Sequence, residues 1–211
     1  NGEVAAVIIV FRDISHEREA QALRSDFAYA SHQLRTPMTK AMWNLESAMD
    51  EKDPHAAGEN IKTAYKSLQS VNKLVGDLLA VSALDQGTII SHSELVKLTD
   101  IFDEIMNAAR ETAKKKEISI TVSPISQTAA IHTDKKLAVK SIYEIVDNAI
   151  IYSSPKSEIK LSITPQKIGV LIEVQDFGKG IPEKEQPLVF TRFFRGSNFD
   201  TTEVPGTGLG L

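Results

Sequence analysis

The segment SHQLRTPMT, residues 31–39, contains a histidine and, five residues later, a proline. His32 is two residues from the apolar helical stripe on either side, which at ~100° per residue turns it about 200° away from that stripe. We therefore expect its imidazole to face solvent. A neutral imidazole is a competent nucleophile near pH 7, because its unperturbed pKa is roughly 6.5. Pro37 removes the N–H that would bond the Gln33 carbonyl, which predicts a helix bend just after His32.

Three polar residues share one face of a second predicted helix, KSIYEIVDNAIIYSS. Lys140, Glu144 and Asn148 recur at steps of four, the spacing that aligns side chains on a helix. Such residues are usually solvated, so the pattern alone is only moderate support for a site.

Two glycine-containing segments are further candidates for a functional site. DFGKGIP begins at Asp176, and its glycines allow the backbone to approach a ligand closely. GTGLGL, residues 206–211, offers successive N–H groups that can line phosphates. It matches neither the Walker A sequence nor the spaced dinucleotide fingerprint. A protein-kinase interpretation of DFG is rejected, because the sequence has no HRD motif and no glycine-rich loop before a strand lysine.

Two amphipathic helices must position the histidine. Apolar residues follow steps of three and four over residues 20–48 and again over residues 61–78. The segment DEKDPHAAGEN, residues 50–60, predicts the loop between them, and Gly87 predicts the cap that ends the second helix. One hairpin cannot bury both stripes, which favours a homodimer that forms a four-helix bundle.

An α+β domain follows and must position the remaining residues. The patterns predict a strand, a helix, an alternating strand, a helix capped by Thr133 or Asp134, and a hairpin of two strands. In order, these elements are Leu95–Leu98, Asp100–Glu117, a strand from Ile118, a helix to about Tyr152, and the strands EIKLSITP and KIGVLIEVQD.

Composition limits the partners. The 211 residues are 42% hydrophobic and 25% charged, as in ordinary globular proteins, and the net charge of -4 gives no case for nucleic acid. The absence of cysteine excludes disulfides and thiol catalysis. The longest apolar run, VAAVIIVF, is too short to span a bilayer, so we expect no membrane contact by this fragment. Because no initiator Met or signal peptide is present, we interpret the chain as part of a longer protein.

The histidine segment resembles the H-box of sensor histidine kinases of two-component systems. The resemblance implies that His32 is phosphorylated from ATP and passes the phosphoryl group to an aspartate of a response-regulator receiver domain. It also implies that Thr36, on the same helix face, orients water for a phosphatase reaction. The family usually has Glu or Asp where Gln33 stands. Gln33 accepts a hydrogen bond but cannot serve as a base near neutral pH, which predicts slower autophosphorylation.

The helical segment KSIYEIVDNAIIYSS resembles the N-box of the ATPase superfamily that includes histidine kinases, gyrase B and Hsp90-type chaperones. This resemblance implies that Asn148 coordinates Mg²⁺ held by the ATP phosphates, with Tyr152 against the nucleotide. Glu144 is a second candidate ligand; kinases often have Asn there, whereas the water-activating ATPases have Glu. Lys140 can supply the positive charge that kinases often place at Ile151.

Three further resemblances complete the family pattern. DFGKGIP resembles the G1 box, which implies that Asp176 accepts a hydrogen bond from the adenine amino group while Gly178 and Gly180 approach the base. VFTRFFR resembles the F-box, which implies that Arg195 stabilises the transferring phosphoryl group. GTGLGL resembles the G2 box, whose nucleotide-binding residues would be Gly206, Thr207, Gly208, Leu209 and Gly210.

The five motifs occur in family order over about 180 residues, which identifies the chain as a member of this family. The resemblance implies the last strand of a PAS-like sensor domain at residues 1–13, a dimerisation and phosphotransfer hairpin at 14–88, and an incomplete catalytic ATP-binding domain of the Bergerat (GHKL) type at 92–211. It also implies a cytoplasmic bacterial location, with any membrane anchor of the parent protein upstream of Asn1.

Two alternatives stay open. Glu144 is compatible with an ATPase of the gyrase and Hsp90 class. Gln33 is compatible with a dimer that binds nucleotide and a partner without phosphoryl transfer. An acid-labile phosphate on His32 would distinguish the kinase from both. A purely structural coiled coil is excluded, because the glycine and asparagine motifs would have no purpose in it.

Overall fold

The computed structural model describes the backbone of residues 15–197 and 206–211, and the side chains of residues 28–197 and 206–211. The strand predicted in VAAVIIVF and the PAS-like segment lie outside the described residues. The first apolar positions of the helical stripe, residues 20, 23 and 27, have no described side chains.

Two long helices form an antiparallel hairpin at the start of the described chain: α1, Ser15–Asp50, and α2, Pro54–Asp85. The loop predicted across residues 50–60 is wrong, because only residues 51–53 separate the helices. Asp53 explains the early start of α2, since its carboxylate accepts the His55 N–H at 3.1 Å. Proline fits the first position of a helix, and Gly58 lies inside α2.

The end of α2 agrees with the prediction. Gly87 adopts a positive φ of 62°, which a residue without Cβ tolerates best. The N–H of Thr88 bonds to the carbonyl of Ala83 at 3.0 Å, as in a Schellman cap. The predicted cap at Gly87 is therefore confirmed.

The contacts divide the chain into two compact units, Asn1–Val75 and Gly76–Leu211. In the first unit, Asn60 of α2 donates to Ser47 of α1 at 3.1 Å. The small residues Ala41 and Ala64 are buried between the helices, whereas Leu45 and Leu68 of the predicted stripes are exposed in the single chain.

The second unit, which we call the catalytic unit, begins within α2 and continues with alternating strands and helices. They are β1 (Glu94–Lys97), α3 (Leu98–Lys115), β2 (Ser119–Val122), β3 (Ala130–Thr133), α4 (Lys135–Tyr152), β4 (Glu158–Pro165), β5 (Val170–Gln175) and a 3-10 turn at Gln186–Leu188. The sequence missed β3, and the strand and helix predicted at Leu95 and Asp100 begin one and two residues earlier.

The strands form two small sheets. In the first, β1 pairs antiparallel with β3. In the second, β4 is central, with β2 parallel on one side and β5 antiparallel on the other. The predicted hairpin of β4 and β5 is confirmed, and Gly169 at φ 83° makes its turn. Helices α3 and α4 pack on these strands, and the most deeply buried large side chains are Ile101, Ile105, Val146, Ile150, Ile159 and Leu161.

A lysine fixes the C-terminal end of α4. The ammonium group of Lys116 donates to the carbonyl oxygens of Ile150, Ile151 and Ser153 at 3.0, 2.6 and 3.3 Å. These carbonyls have no partner inside the helix, and they carry the negative end of its dipole. Lys116 therefore holds the end of the helix that carries the N-box. Among the described residues, no helix is both long and apolar enough to cross a membrane.

Candidate functional site

The histidine lies on the surface of α1, as the sequence predicts. His32 is exposed and Gln33 is partly buried. The hydroxyl of Thr36 donates to the His32 carbonyl oxygen at 3.4 Å, which places Thr36 one turn from the imidazole. Helix α1 is continuous through Pro37. The roles of these residues in phosphoryl transfer, and the bend at the proline, stay predictions.

Helix α4 positions the N-box residues. Its cap is Asp134, one of the two predicted candidates, whose carboxylate accepts N–H groups from Leu137 at 3.1 Å and His92 at 2.8 Å. These hydrogen bonds lower the pKa of Asp134 below its usual range, and the bond from the His92 N–H has the larger effect. Along the helix, Lys140 is exposed, and Glu144, Asn148 and Tyr152 are partly buried.

The G1 segment, Asp176–Pro182, packs against the end of α4. An added Cβ at Gly178 would lie 2.5 Å from the carbonyl oxygen of Tyr152, so only glycine fits there. The Gly178 N–H donates to Asp176 at 2.8 Å, and Gly180 has φ 67°. The exposed Asp176 carboxylate keeps acceptor capacity beyond this one bond.

The G2 segment, Gly206–Leu211, is joined to the F-box segment, Val189–Arg195, through the backbone. Phe193 donates its N–H to the Gly208 carbonyl oxygen at 2.8 Å. A Cβ at Gly208 would lie 2.6 Å from the Phe193 carbonyl carbon, and both residues have positive φ, 70° and 62°. Any larger residue at Gly208 would separate the two segments.

The same glycine segment reaches the N-box face of α4. A Cβ at Gly210 would lie 2.8 Å from a carboxylate oxygen of Glu144, and one at Gly206 would lie 4.0 Å from Nε of Arg195. The structure thus brings residues of the predicted N-box, F-box and G2 motifs into one region. Burial, followed by the charges of Asp147 and Glu144, raises the pKa of Tyr143 on this helix.

Two aspartates of α2 join this region and were missed by the sequence interpretation. Thr207 donates its hydroxyl proton to Asp77 at 3.0 Å, and Leu209 donates its N–H to the Thr207 oxygen at 3.3 Å. Arg192 pairs with Asp85. No local signal marks these aspartates, because an acidic residue on an exposed helix face is ordinary.

The oxygen donors fit a magnesium nucleotide better than a free metal. The amide oxygen of Asn148 and the carboxylate of Glu144 are hard ligands of the kind Mg²⁺ prefers. In residues 28–197 and 206–211, no group of three or more His, Cys, Asp or Glu side chains is placed to hold a metal ion. A cation here would therefore need oxygens from bound phosphates as well.

Two family models match the chain. The His Kinase A (phospho-acceptor) domain matches residues 23–87, and the histidine kinase-, DNA gyrase B-, and HSP90-like ATPase matches residues 133–211. The chain belongs to the sensor histidine kinases. The first match contains His32, and the second contains every residue of the predicted N-box, G1, F-box and G2 motifs. Membership of this ATPase family implies that the second domain binds ATP.

Individual relatives agree with this assignment. Sensor-type histidine kinase PrrB of Mycobacterium leprae is 30% identical over an alignment of 210 positions, and the match covers 96% of this chain and 44% of PrrB. Sensor protein kinase WalK of Staphylococcus aureus is 27% identical, over 100% of this chain and 51% of WalK. This histidine kinase chain therefore spans about half the length of these relatives.

A solved structure shows the same fold. Histidine kinase ThkA, in complex with response regulator protein TrrA, superposes with a TM-score of 0.71 and 19% sequence identity. The match covers 87% of this chain and 55% of the ThkA chain. At this identity the likeness establishes the fold alone, a helical hairpin followed by the α+β ATPase domain.

Proposed function

We propose that this histidine kinase chain transfers the γ-phosphoryl group of ATP to His32 and then to an aspartate of a response regulator. One observation carries the proposal: an exposed histidine in the phospho-acceptor match accompanies a catalytic unit in which the N-box, F-box and G2 residues are in contact. Residues 14–88 would form the phosphotransfer hairpin and residues 92–211 the ATP-binding domain.

The exposed imidazole suits in-line attack. A ring nitrogen of His32 would form a bond to the γ-phosphorus as the bond to the β–γ bridging oxygen breaks and ADP leaves. The ring proton passes to solvent, because the amide of Gln33 accepts a hydrogen bond but does not take up a proton. Thr36 would orient the water that removes phosphate from the regulator in the reverse reaction.

The catalytic unit would bind the nucleotide through residues from four motifs. Asp176 would accept the adenine amino group, with Gly178 and Gly180 against the base and Tyr152 beside it. The N–H groups of Gly206, Thr207, Gly208, Leu209 and Gly210 would face the phosphates. Lys140 and Arg195 would add positive charge, Arg195 at the γ-phosphate.

Magnesium would be held by Asn148, with Glu144 as a second ligand. Bound with ATP, Mg²⁺ neutralises phosphate charge.

Two partners belong to the proposal. The exposed apolar side chains of α1 and α2, such as Leu45 and Leu68, support a homodimer. A receiver domain is the expected acceptor of the phosphoryl group, and the complex of ThkA with a response regulator supports this. Since ATP and receiver domains are cytoplasmic, we place this chain in the cytoplasm.

Phosphate incorporation tests the proposal. The chain is incubated with ATP labelled at the γ-position, and acid-labile, base-stable label is counted in the wild type, His32→Gln and His55→Gln. His55 is the matched control, because it is another exposed histidine of the same hairpin. We expect His32→Gln to abolish the label and His55→Gln to retain it. Label that persists in His32→Gln would overturn the proposal.

Two variants refine the roles beside His32. Gln33→Glu supplies a base, so it should raise the chemical rate of autophosphorylation by about tenfold or more. Thr36→Ala should slow dephosphorylation of a phosphorylated receiver domain while the label on His32 is retained. An autophosphorylation rate unchanged in Gln33→Glu would contradict the effect expected of a base at Gln33. A dephosphorylation rate unchanged in Thr36→Ala would contradict the role of Thr36.

An ATPase is the second candidate, favoured by the position of Glu144 beside Gly210. A carboxylate there can activate water against the γ-phosphate. The measurement is phosphate release by His32→Gln, which cannot form phosphohistidine. Release that persists in His32→Gln and disappears when Glu144→Gln is added would establish hydrolysis; no release would exclude it.

A further inference from the structure

The last ten residues of α2, Gly76–Asp85, belong to the compact catalytic unit. They carry two aspartates, Asp77 and Asp85, eight residues apart. That spacing places both carboxylates on one face of the helix, about 12 Å apart along its axis. Each contacts a different nucleotide motif, one in the G2 segment and one in the F-box segment.

Asp77 occupies the only proton that the Thr207 hydroxyl can donate. The Oγ1–Oδ2 distance is 3.0 Å, and the bond is partly buried. The hydroxyl oxygen already accepts the Leu209 N–H at 3.3 Å. Because a hydroxyl has a single proton, Thr207 cannot donate to a phosphate oxygen while it donates to Asp77.

Asp85 adds a weaker contact at the other motif. It pairs with Arg192, three residues before Arg195, and the two side chains are 49% and 45% exposed. Exposed ion pairs contribute little to stability, so this one can break at small cost. Of these two contacts, the stronger is therefore the partly buried hydrogen bond of Asp77.

The charge of Asp77 opposes a nucleotide at the same place. A triphosphate beside the G2 segment would bring several negative charges toward this carboxylate, and like charges repel strongly where solvent is partly excluded. We infer that Asp77 competes with the nucleotide phosphates for the Thr207 hydroxyl, so that α2 restrains the G2 segment until nucleotide displaces it. This inference rests on the proposed nucleotide site, and it predicts reciprocal coupling: nucleotide loosens α2 from the G2 segment, and loss of Asp77 strengthens nucleotide binding.

Nucleotide affinity tests the inference. The dissociation constant of a non-hydrolysable ATP analogue is measured by calorimetry on the full chain for the wild type, Asp77→Ala, Asp77→Asn and Asp103→Ala. Asp103 is the matched control, because it is an exposed helical aspartate of the same unit. We expect Asp77→Ala to bind about threefold to tenfold more tightly, which corresponds to the net loss of one hydrogen bond. Asp77→Asn removes the charge but keeps an acceptor, so its gain should be smaller. Asp103→Ala should match the wild type.

A double variant identifies the atom involved. If Asp77 acts through the Thr207 hydroxyl, the double variant Asp77→Ala, Thr207→Val should bind the ATP analogue little more tightly than Thr207→Val alone. A full gain in that background, or unchanged or weaker binding by Asp77→Ala alone, would overturn the inference. If the wild type and every variant fail to bind the analogue, the proposed nucleotide site fails and the inference with it. If all bind equally, only the inference fails.

Discussion

The hairpin and the catalytic unit bury different kinds of side chain. The hairpin interior is made of small residues and one leucine, whereas the catalytic unit buries branched aliphatic side chains almost completely. Within the described side chains, those buried in the hairpin are Ala30, Ala41, Ala64, Ser67 and Leu74; those most deeply buried in the catalytic unit are Ile101, Ile105, Val146, Ile150, Ile159 and Leu161.

Many large apolar side chains of the hairpin helices are exposed instead. Among the described side chains of α1 and α2 they are Met38, Met42, Trp43, Leu45, Met49, Ile61, Tyr65, Leu68, Val75, Leu79 and Leu84. Alanine burial removes little apolar surface from water, so the two helices gain little stability from each other. The comparison teaches that the catalytic unit is stabilised by its own core, whereas the exposed stripe of the hairpin would be covered in the proposed homodimer.

A charge on the exposed stripe should have the largest effect. Leu68→Glu would place a carboxylate in the proposed dimer interface. Because the dimer would be two-fold symmetric, the second protomer would contribute another carboxylate to the same interface. An unpaired buried charge costs several kcal/mol, so dimerisation should weaken at least ~100-fold. Light scattering during gel filtration over a range of concentrations gives the mass.

The neighbouring Gln69 provides the control, because it is exposed and adds the same charge when changed to Glu. Gln69→Glu should remain dimeric. A dimer that persists in Leu68→Glu would show that the exposed stripe has another role, and the contrast between the two regions would lose its explanation.

A cavity in the catalytic core should have the next largest effect. Ile105 is 0% exposed, and Ile105→Ala should lower the free energy of unfolding of the catalytic unit by about 2–5 kcal/mol. Chemical denaturation followed by tryptophan fluorescence and circular dichroism can separate the units, because the single tryptophan, Trp43, lies in the hairpin. The hairpin signal should be unchanged. Equal destabilisation of both signals would mean that the two regions do not depend on separate cores.

Removing the charge on Lys116 should have a smaller effect within the same unit. Lys116→Met keeps the aliphatic stem and loses the donors to three carbonyls at the end of α4. Hydrogen bonds from charged groups contribute about 1.5–3 kcal/mol, and the unfolding transition of the catalytic unit reports the loss. Lys115→Met, at an exposed neighbour, should change little; equal losses in both variants would exclude the capping role.

The sequence predicted those parts of the fold that local patterns encode. Apolar periodicity located both hairpin helices, and Gly87 located the end of α2 through its positive φ. The loop between α1 and α2 was predicted too long, because a proline interrupts the interior of a helix but is favourable as its first residue. The hydrogen bond from the His55 N–H to Asp53, which the sequence does not reveal, shows that Pro54 begins α2. Strand β3 was missed because its pairing with β1 is a tertiary property.

The candidate site divides in the same way. Each glycine motif and the polar face of α4 consist of residues at a fixed local spacing, so the sequence alone is enough to recognise them. The contact of Asp77 with Thr207 joins positions 130 residues apart, and nothing local distinguishes Asp77 from a solvated aspartate. Gly178 lies against the end of α4, a contact that the sequence did not reveal, and its approach to a base stays a prediction.

Acid should have the smallest effect and should act on the catalytic unit through the cap of α4. Hydrogen bonds from the N–H groups of His92 and Leu137 hold the pKa of the Asp134 carboxyl below its usual range. In the acidic window the unfolded state therefore binds more protons, so stability rises with pH there. The contribution of Asp134 is fully present above the unfolded pKa of roughly 4 and is lost as the pH falls through the lower folded pKa.

Asp134→Asn isolates this contribution, because asparagine also caps helices but does not titrate. The melting temperature of the catalytic unit, followed from pH 7 down through the acidic window, should fall less steeply for Asp134→Asn than for the wild type, whereas Asp103→Asn should retain the wild-type slope. The hairpin transition should not distinguish the three proteins. If Asp134→Asn retains the full acid slope, other carboxylates determine the acid sensitivity of this unit, and the cap stabilises α4 through its geometry and not through its charge.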